Sequence, residues 1–238
     1  MRSKFRKESP NDMNSVDKHN LEIMKTAKGY NLWVFSKLKP YLGSQILDVG
    51  AGIGSFTGML PRGKSTAIDI DKFYIQKLQK KFGTNAGFGD IEKGKYFFGN
   101  KKFDTIICLN VLEHIKDDRL ALKNICKLLK GNGKFIATVP AHKWAYGTMD
   151  KYLDHFRRYE KNELIKKCKA AKLEPIIVRR LNFFGLMGWF VNGKLLRRDI
   201  IHKVQLTIFE KLVLALVSFE KIIEPPLGLS LFLVAQKK

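Results

Sequence analysis

The chain has 238 residues, of which 45% are hydrophobic and 28% charged. This composition is typical of a folded globular domain and excludes collagen-like order and wholesale disorder. The 44 basic against 22 acidic residues leave a formal net charge of +22, which favours polyanions or an anionic lipid surface as partners, although the lysines are scattered along the chain. Three isolated cysteines and the absence of a long apolar run predict a cytoplasmic protein that does not cross a membrane, with no metal site.

Strand-like and helix-like segments alternate along most of the chain. Residues 1–16 are polar and are predicted to be a flexible lead-in to one domain over residues 17–238. An apolar helical period at residues 21–42 predicts an N-terminal helix, and the alternation that follows indicates a doubly wound α/β sheet covered on both faces. The predicted strands are 45–49, 66–70, 103–109, 135–139, 176–178 and 229–235, and the predicted helices are 73–82, 117–130 (ended by Gly131) and 160–171.

The alternation stops before the last predicted strand. Residues 182–228 mix aromatic residues, glycines and basic residues, and contain an amphipathic run at 204–223. We expect an insertion before the last strand. Because its apolar residues adjoin a basic cluster, it could cover a lipophilic acceptor or touch an anionic membrane face. The alternative is a helical lid that packs its apolar side on the sheet, and both can hold together.

The strongest motif is a hydrophobic strand that runs into three glycines, Gly50, Gly52 and Gly54. Glycines permit a sharp turn and let a ligand lie against bare backbone, and a helix predicted to follow would present free N–H groups to it. A dinucleotide-binding loop wants a third glycine where Ser55 or Thr57 stands, so the spacing disfavours nicotinamide dehydrogenases.

Two carboxylates stand at the carboxyl ends of the next two strands. Asp69 can accept both hydroxyls of a ribose, although a helix N-cap is the bland alternative, which Asp71 could supply equally well. Asp90 can receive the exocyclic amine of an adenine, with Ile91 packed on the ring. In series with the glycine loop, these residues predict a nucleoside site.

The segments around Asp48–Gly54, Asp69, Asp90 and Asn110–Ile115 together resemble the class I S-adenosylmethionine-dependent methyltransferases. The resemblance implies a Rossmann-like seven-stranded sheet with its last strand antiparallel, and S-adenosylmethionine lying across the strand carboxyl ends, with S-adenosylhomocysteine as product. It also implies these cofactor-binding residues: Asp48 as support for the loop; Gly50, Gly52 and Asn110 near the methionine portion; Asp69 at the ribose; Asp90 and Ile91 at the adenine; and Ala51, Gly54 and Ile70 elsewhere along the cofactor.

A narrower set of segments resembles a bacterial branch of small-molecule methyltransferases; it includes residues 30–33, 139–141, 155–159 and 225–230. Asp154 stands where that branch is expected to have glycine. The resemblance implies a small, lipid-like or sugar-containing acceptor methylated on oxygen or nitrogen. The expected acceptor-binding residues are Tyr30, Trp33, Tyr146, Asp150, Arg157, Arg158, Tyr159 and Trp189.

Two histidines are candidates for the base that takes a proton from the acceptor. His155 and His114 qualify because imidazole titrates near working pH. Each could instead be structural, and alignment of the reactants with exclusion of water could make a strong base unnecessary. Arg157 and Arg158 could bind a carboxylate or phosphate of the acceptor; alternatively, one of the two faces solvent or pairs with Asp150 or Glu160.

The strongly basic composition supports an alternative function, an RNA methyltransferase or nucleic-acid-binding protein. Residues 109–112 lack the signature of amino-methylating DNA enzymes, and no Pro-Cys pair offers a nucleophile for carbon-5 chemistry. Nucleic acid is therefore the less favoured partner. The sequence indicates no oligomeric state.

Overall fold

The computed structural model describes residues 28–196 and 225–238. The predicted lead-in and the amphipathic run at 204–223 lie outside these residues. The helices are α1 (Lys28–Leu38), α2 (Lys72–Phe82), α3 (Asp118–Leu128), α4 (Thr148–Tyr152), α5 (Lys161–Ala170) and α6 (Phe183–Phe190). The strands are β1 (Ile46–Val49), β2 (Ser65–Asp69), β3 (Ala86–Asp90), β4 (Lys95–Tyr96), β5 (Phe103–Leu109), β6 (Leu129–Pro140), β7 (Leu173–Leu181) and β8 (Ser230–Lys237).

The described strands form one sheet in the order β4-β3-β2-β1-β5-β6-β8-β7. Strands β3, β2, β1, β5 and β6 pair in parallel, whereas β8 is antiparallel to both β6 and β7. The predicted doubly wound sheet with an antiparallel last strand is therefore confirmed. The strand beyond the seven predicted is β4, a two-residue segment that pairs antiparallel with the end of β3.

Helices cover both faces of the sheet, as the alternation of side chains along the strands requires. On one face, Trp33, Val34 and Leu38 of α1 pack with alternate strand residues such as Ile46 and Ile107. The opposite face packs the intervening residues against α3 and α5 in a larger cluster that includes Leu47, Ile106, Phe135, Leu122 and Leu164. Across the described residues, helices are too short or too polar to span a bilayer.

Two local predictions were wrong. The glycine loop leads into turns and a short 3-10 segment, Thr57–Met59, in place of a helix, because Gly58 and Pro61 interrupt any longer helical run. The helix predicted to reach residue 130 ends at Leu128, and Gly131 lies inside β6. The chain becomes extended at Leu129, which pairs with Phe103 across a register shift.

Candidate active site

The glycine loop leaves the end of β1 with left-handed backbone at three positions. Gly50, Gly52 and Gly54 have φ values of +65°, +55° and +74°. A Cβ on Gly50 would lie 2.5 Å from Val111 Cγ2, and one on Gly54 would lie 2.7 Å from Phe82 Cε2. A Cβ on Gly52 would have no neighbour within 4 Å, so the backbone there borders open space. A ligand can approach the main chain at Gly52.

Asp69, at the end of β2, braces this loop. It is 7% exposed, and its two carboxylate oxygens accept hydrogen bonds from the backbone N–H groups of Gly52 (2.8 Å) and Asp71 (3.0 Å). Burial raises its pKa, against these hydrogen bonds. The N-cap of α2 is Asp71, which accepts from Phe73 N at 2.7 Å, so Asp69 is not held at its position as a cap.

Asp48 lies beneath the same loop. Its carboxylate accepts a hydrogen bond from the Thr57 hydroxyl at 2.5 Å. Burial raises the pKa of Asp48 to about 7, and the Thr57 hydrogen bond opposes that rise. The side chain therefore ties the start of the loop to its end, while Ala51 N donates to Ile68 O at 3.0 Å and joins the loop to β2.

The remaining predicted cofactor residues lie at neighbouring strand ends. Ile70 is 66% exposed directly after β2, and Asn110 is exposed after β5 with a φ of +55°. Asp90, at the end of β3, accepts from Lys93 N at 2.8 Å. Ile91 departs from expectation, because it is 4% exposed and packs in the core rather than facing the crevice.

A buried network surrounds His155 in the segment after β6. His155 Nδ1 lies 2.9 Å from Asp150 Oδ1, and Arg158 Nε donates to the same oxygen at 2.8 Å. Asp150 Oδ2 accepts from Gly147 N at 2.9 Å and from Trp189 Nε1 of α6 at 3.3 Å. Burial would raise the pKa of Asp150, but the bonds from His155 and Arg158 outweigh it, and the pKa is lowered. Asp150 is thus an anion held between an imidazole and a guanidinium.

His114 and Tyr146 complete the surroundings of His155. The His114 ring meets the His155 ring edge to face, with centroids 4.7 Å apart. Although His114 as a residue is exposed, desolvation of its ring and the neighbouring His155 lower its pKa. Tyr146 donates through its hydroxyl to His155 O at 2.8 Å, so it holds the backbone of His155.

Several residues predicted to bind the acceptor do not face a crevice. The side chains of Arg158 and Asp150 are 0% exposed and pair with each other. Tyr159 is 1% exposed and donates to Asp118 at 2.8 Å, and Arg157 pairs with the same Asp118 at 3.1 Å. Their hydrogen bonds fold the segment rather than leave it free for an acceptor.

The two aromatic residues of the N-terminal helix that were predicted to bind the acceptor pack against other residues of the fold. Trp33 is 6% exposed and packs in the core beneath α1. The ring of Tyr30 lies 5.7 Å from that of Trp33 and packs against the same cluster.

Glu113, which precedes His114 in the chain, also lies beside His155 and was not predicted from the sequence. It is 1% exposed, its Oε2 has no hydrogen-bond partner among the described residues, and burial raises its pKa to about 7. Single donor atoms of Glu113, His114 and His155 all lie within 4.8 Å of one another. One carboxylate and two imidazoles are ligands that a divalent metal ion could take.

The sequence is similar to those of known methyltransferases. Residues 47–137 match the family described as "Methyltransferase domain". A ubiquinone biosynthesis O-methyltransferase from Idiomarina loihiensis is 28% identical over 179 residues, which cover 64% of this chain and 70% of that protein. The same-named protein from Pelagibacter ubique is 32% identical over 111 residues, covering 42% of this chain and 44% of that one.

Solved structures share the fold over almost the whole chain. A methyltransferase from Thermotoga maritima superposes with a TM-score of 0.62 at 16% identity, covering 94% of this chain and 96% of that one. Magnesium protoporphyrin IX methyltransferase from Synechocystis, with bound S-adenosylhomocysteine, gives 0.53 at 14% identity, covering 97% and 90%.

The matched domain, the named relatives and the fold shared with solved methyltransferases support a class I S-adenosylmethionine-dependent methyltransferase. The protein is an enzyme of this class, and its cofactor is S-adenosylmethionine.

Proposed function

We propose that this enzyme methylates an oxygen or nitrogen atom of a small acceptor, with His155 as the base. The observation that carries the proposal is the 2.9 Å contact between His155 Nδ1 and the fully buried Asp150 carboxylate. A carboxylate on one ring nitrogen orients the imidazole and stabilises its protonated form, while the other nitrogen remains to receive a proton.

The residues of the glycine loop and strand ends are proposed to hold the cofactor. The open backbone at Gly52 and the exposed Asn110 would border its methionine portion, Asp69 its ribose, and Ile70 and Asp90 its adenine. When bound, S-adenosylmethionine supplies a methyl group on a positively charged sulfur. Asp69 already accepts two backbone N–H groups, and its remaining lone pairs are suited to ribose hydroxyls.

In the proposed reaction, His155 would take the proton that the acceptor atom loses as it receives the methyl group, whose bond to the cofactor sulfur breaks to leave S-adenosylhomocysteine. The imidazolium then faces an Asp150 carboxylate whose charge Arg158 also compensates. Arg158 and Asp150 therefore act by positioning His155 rather than by touching the acceptor. This assignment replaces the expected contact between Arg158 and an acidic group of the substrate.

Oxygen is the acceptor atom that the named relatives favour, since they include ubiquinone biosynthesis O-methyltransferases and an O-methyltransferase from Penicillium expansum. We propose a lipid-like acceptor because large apolar side chains stay exposed along α6 and the segment beside it. Phe184, Met187 and Trp144 are 45%, 43% and 45% exposed, and the rings of Trp144 and Phe190 lie 5.7 Å apart. The same residues would let the cytoplasmic enzyme touch an anionic membrane face.

The proposal is tested in two stages on the purified full chain. Calorimetry with S-adenosylhomocysteine measures cofactor binding, and absence of binding at millimolar ligand would overturn the cofactor site. Transfer of labelled methyl groups is then measured on phenols with and without isoprenoid tails, and on matched amines. His155→Ala is expected to lower kcat by about 10²- to 10⁴-fold with little change in cofactor affinity. An unchanged kcat would remove His155 from the chemistry.

A further inference from the structure

A second cavity, of about 650 Å³, lies between the β3–β4 hairpin, the loop before β5 and the last turns of α3. It shares no lining residue with the glycine loop or the His155 network. Four of its lining side chains are lysines, and among the lining residues there is no carboxylate. Its polar lining consists chiefly of Lys93, Lys95, Lys102, Lys127, Asn100 and Asn124.

The charges of these lysines are only partly compensated. Lys93 Nζ lies 3.5 Å from Asp90, and Lys102 Nζ donates to the backbone carbonyl of Lys127 at 2.6 Å. The second contact also satisfies a carbonyl at the carboxyl end of α3, which would otherwise repel an anion. For the ammonium groups of Lys95 and Lys127, no ion pair or hydrogen bond occurs within residues 28–196 and 225–238. Positive charge therefore collects around a concave surface.

Neutral groups add rigidity to the wall of the cavity. The amide nitrogen of Asn124 donates to Ile91 O and Glu92 O, both at 3.0 Å, and so ties α3 to the chain after β3. Gly99 has a φ of +61°, and a Cβ there would meet nothing within 4 Å, so bare backbone borders the cavity.

We infer that this cavity binds a phosphate-bearing small molecule at a site separate from the methyl-transfer site. Lysine ammonium groups act on phosphate as point charges. The volume falls in the range of small-molecule sites, about 300 to 1,000 Å³. A nucleic-acid surface would instead be a stripe of basic groups along one face. The inference stands on this geometry alone and is independent of the methyl acceptor.

Inorganic pyrophosphate is the simplest probe, titrated into the full chain by calorimetry at fixed ionic strength. The test variant is Lys95→Gln with Lys127→Gln. The matched control is Lys123→Gln with Lys166→Gln, which removes the same charge from exposed lysines outside the cavity. We expect one pyrophosphate per chain, about tenfold or more weaker binding in the test variant, and unchanged binding in the control.

Three outcomes would overturn the inference. Equal weakening in both variants would mean general attraction to a basic surface, and absence of pyrophosphate binding to the native chain would mean that the cavity takes no phosphate. Binding of short RNA or of anionic vesicles that needs Lys95 and Lys127, without any pyrophosphate binding, would assign the lysines to a macromolecular surface. Thermal melting of each variant shows that it is folded.

Discussion

Asp69 joins the glycine loop to β2 through the backbone N–H of Gly52. Asp69→Ala is expected to weaken S-adenosylhomocysteine binding by roughly 1 to 3 kcal/mol, since it removes charge-assisted hydrogen bonds to the loop and to the ribose. Calorimetry measures the change. Asp117→Ala is the control, because Asp117 also accepts a backbone N–H, at the start of α3, but lies outside the crevice. Equal affinity in the native and Asp69→Ala proteins would contradict the ribose assignment.

The ionisation of Glu113 makes the free energy of unfolding depend on pH. Burial raises its pKa from 4.5 to about 7. Between these values the folded protein keeps a proton that the unfolded chain releases, so ionisation opposes folding increasingly as pH rises, and by a constant amount above about pH 7. Glu113→Gln removes this effect. We expect the melting temperature of the variant, relative to the native protein, to increase from about pH 5 to about pH 8.

The comparison between pH values isolates the carboxyl group, because any loss of packing in Glu113→Gln is the same at each pH. A difference in melting temperature that stays constant from about pH 5 to about pH 8 would show that Glu113 ionises as freely in the folded chain as in the unfolded one. A high ionic strength, identical at each pH, keeps the remaining surface charges from dominating the measurement.

Helix α6 contacts the network around the proposed base through Trp189. Trp189 donates to Asp150 at 3.3 Å, and the Arg158 guanidinium lies 4.9 Å from its ring centre. Trp189→Phe keeps an aromatic face for Arg158 and removes the N–H donor. We expect kcat to fall about fivefold, equivalent to about 1 kcal/mol for one hydrogen bond, with cofactor affinity unchanged.

Trp144→Phe is the matched control for this variant. Trp144 is 45% exposed and contacts the rings of His142 and Phe190 rather than Asp150. If both substitutions lower kcat equally, the aromatic residues act by covering the acceptor. In that case the hydrogen bond to Asp150 would have no part in orienting His155.

The order of elements could be predicted because apolar periodicity and glycine positions are local properties. Residues 103–109 form β5 with the predicted bounds, and Asp69 ends β2 as expected. The start of β6 could not be found in this way, because Leu129 becomes part of the sheet only by pairing with Phe103. The two-residue β4 is likewise created by its partner β3.

Some contacts around His155 could not be predicted from local sequence patterns. The sequence left Arg158 either to bind an acidic group of the acceptor or to pair with Asp150, and the structure shows the pair, fully buried. Asp150 is held in turn by Gly147 and Trp189. Trp189 lies in a separate part of the chain from Asp150, and a pattern of residue types does not encode their contact.

The net charge of +22 acts on the molecule as a whole. Self-repulsion of this size destabilises a compact chain, and salt screens it over about 10 Å at 0.1 M. We expect the melting temperature to rise as sodium chloride increases from about 50 to about 500 mM. Sucrose at matched osmolality separates screening from solvent exclusion, and a melting temperature that falls with salt would mean that specific ion pairs outweigh the repulsion.

Strand β8 lies between β6 and β7, although it follows β7 only after 48 intervening residues, numbers 182–229. During synthesis on the ribosome, the edges of β6 and β7 that pair with β8 therefore stay unpaired until residues 230–237 emerge. Such edges can pair with other nascent chains, and long-range pairing is slow to form. Strand β8 is thus the last strand of the sheet to be synthesised. Once it pairs with β6 and β7, the edges through which the new chain could aggregate are covered.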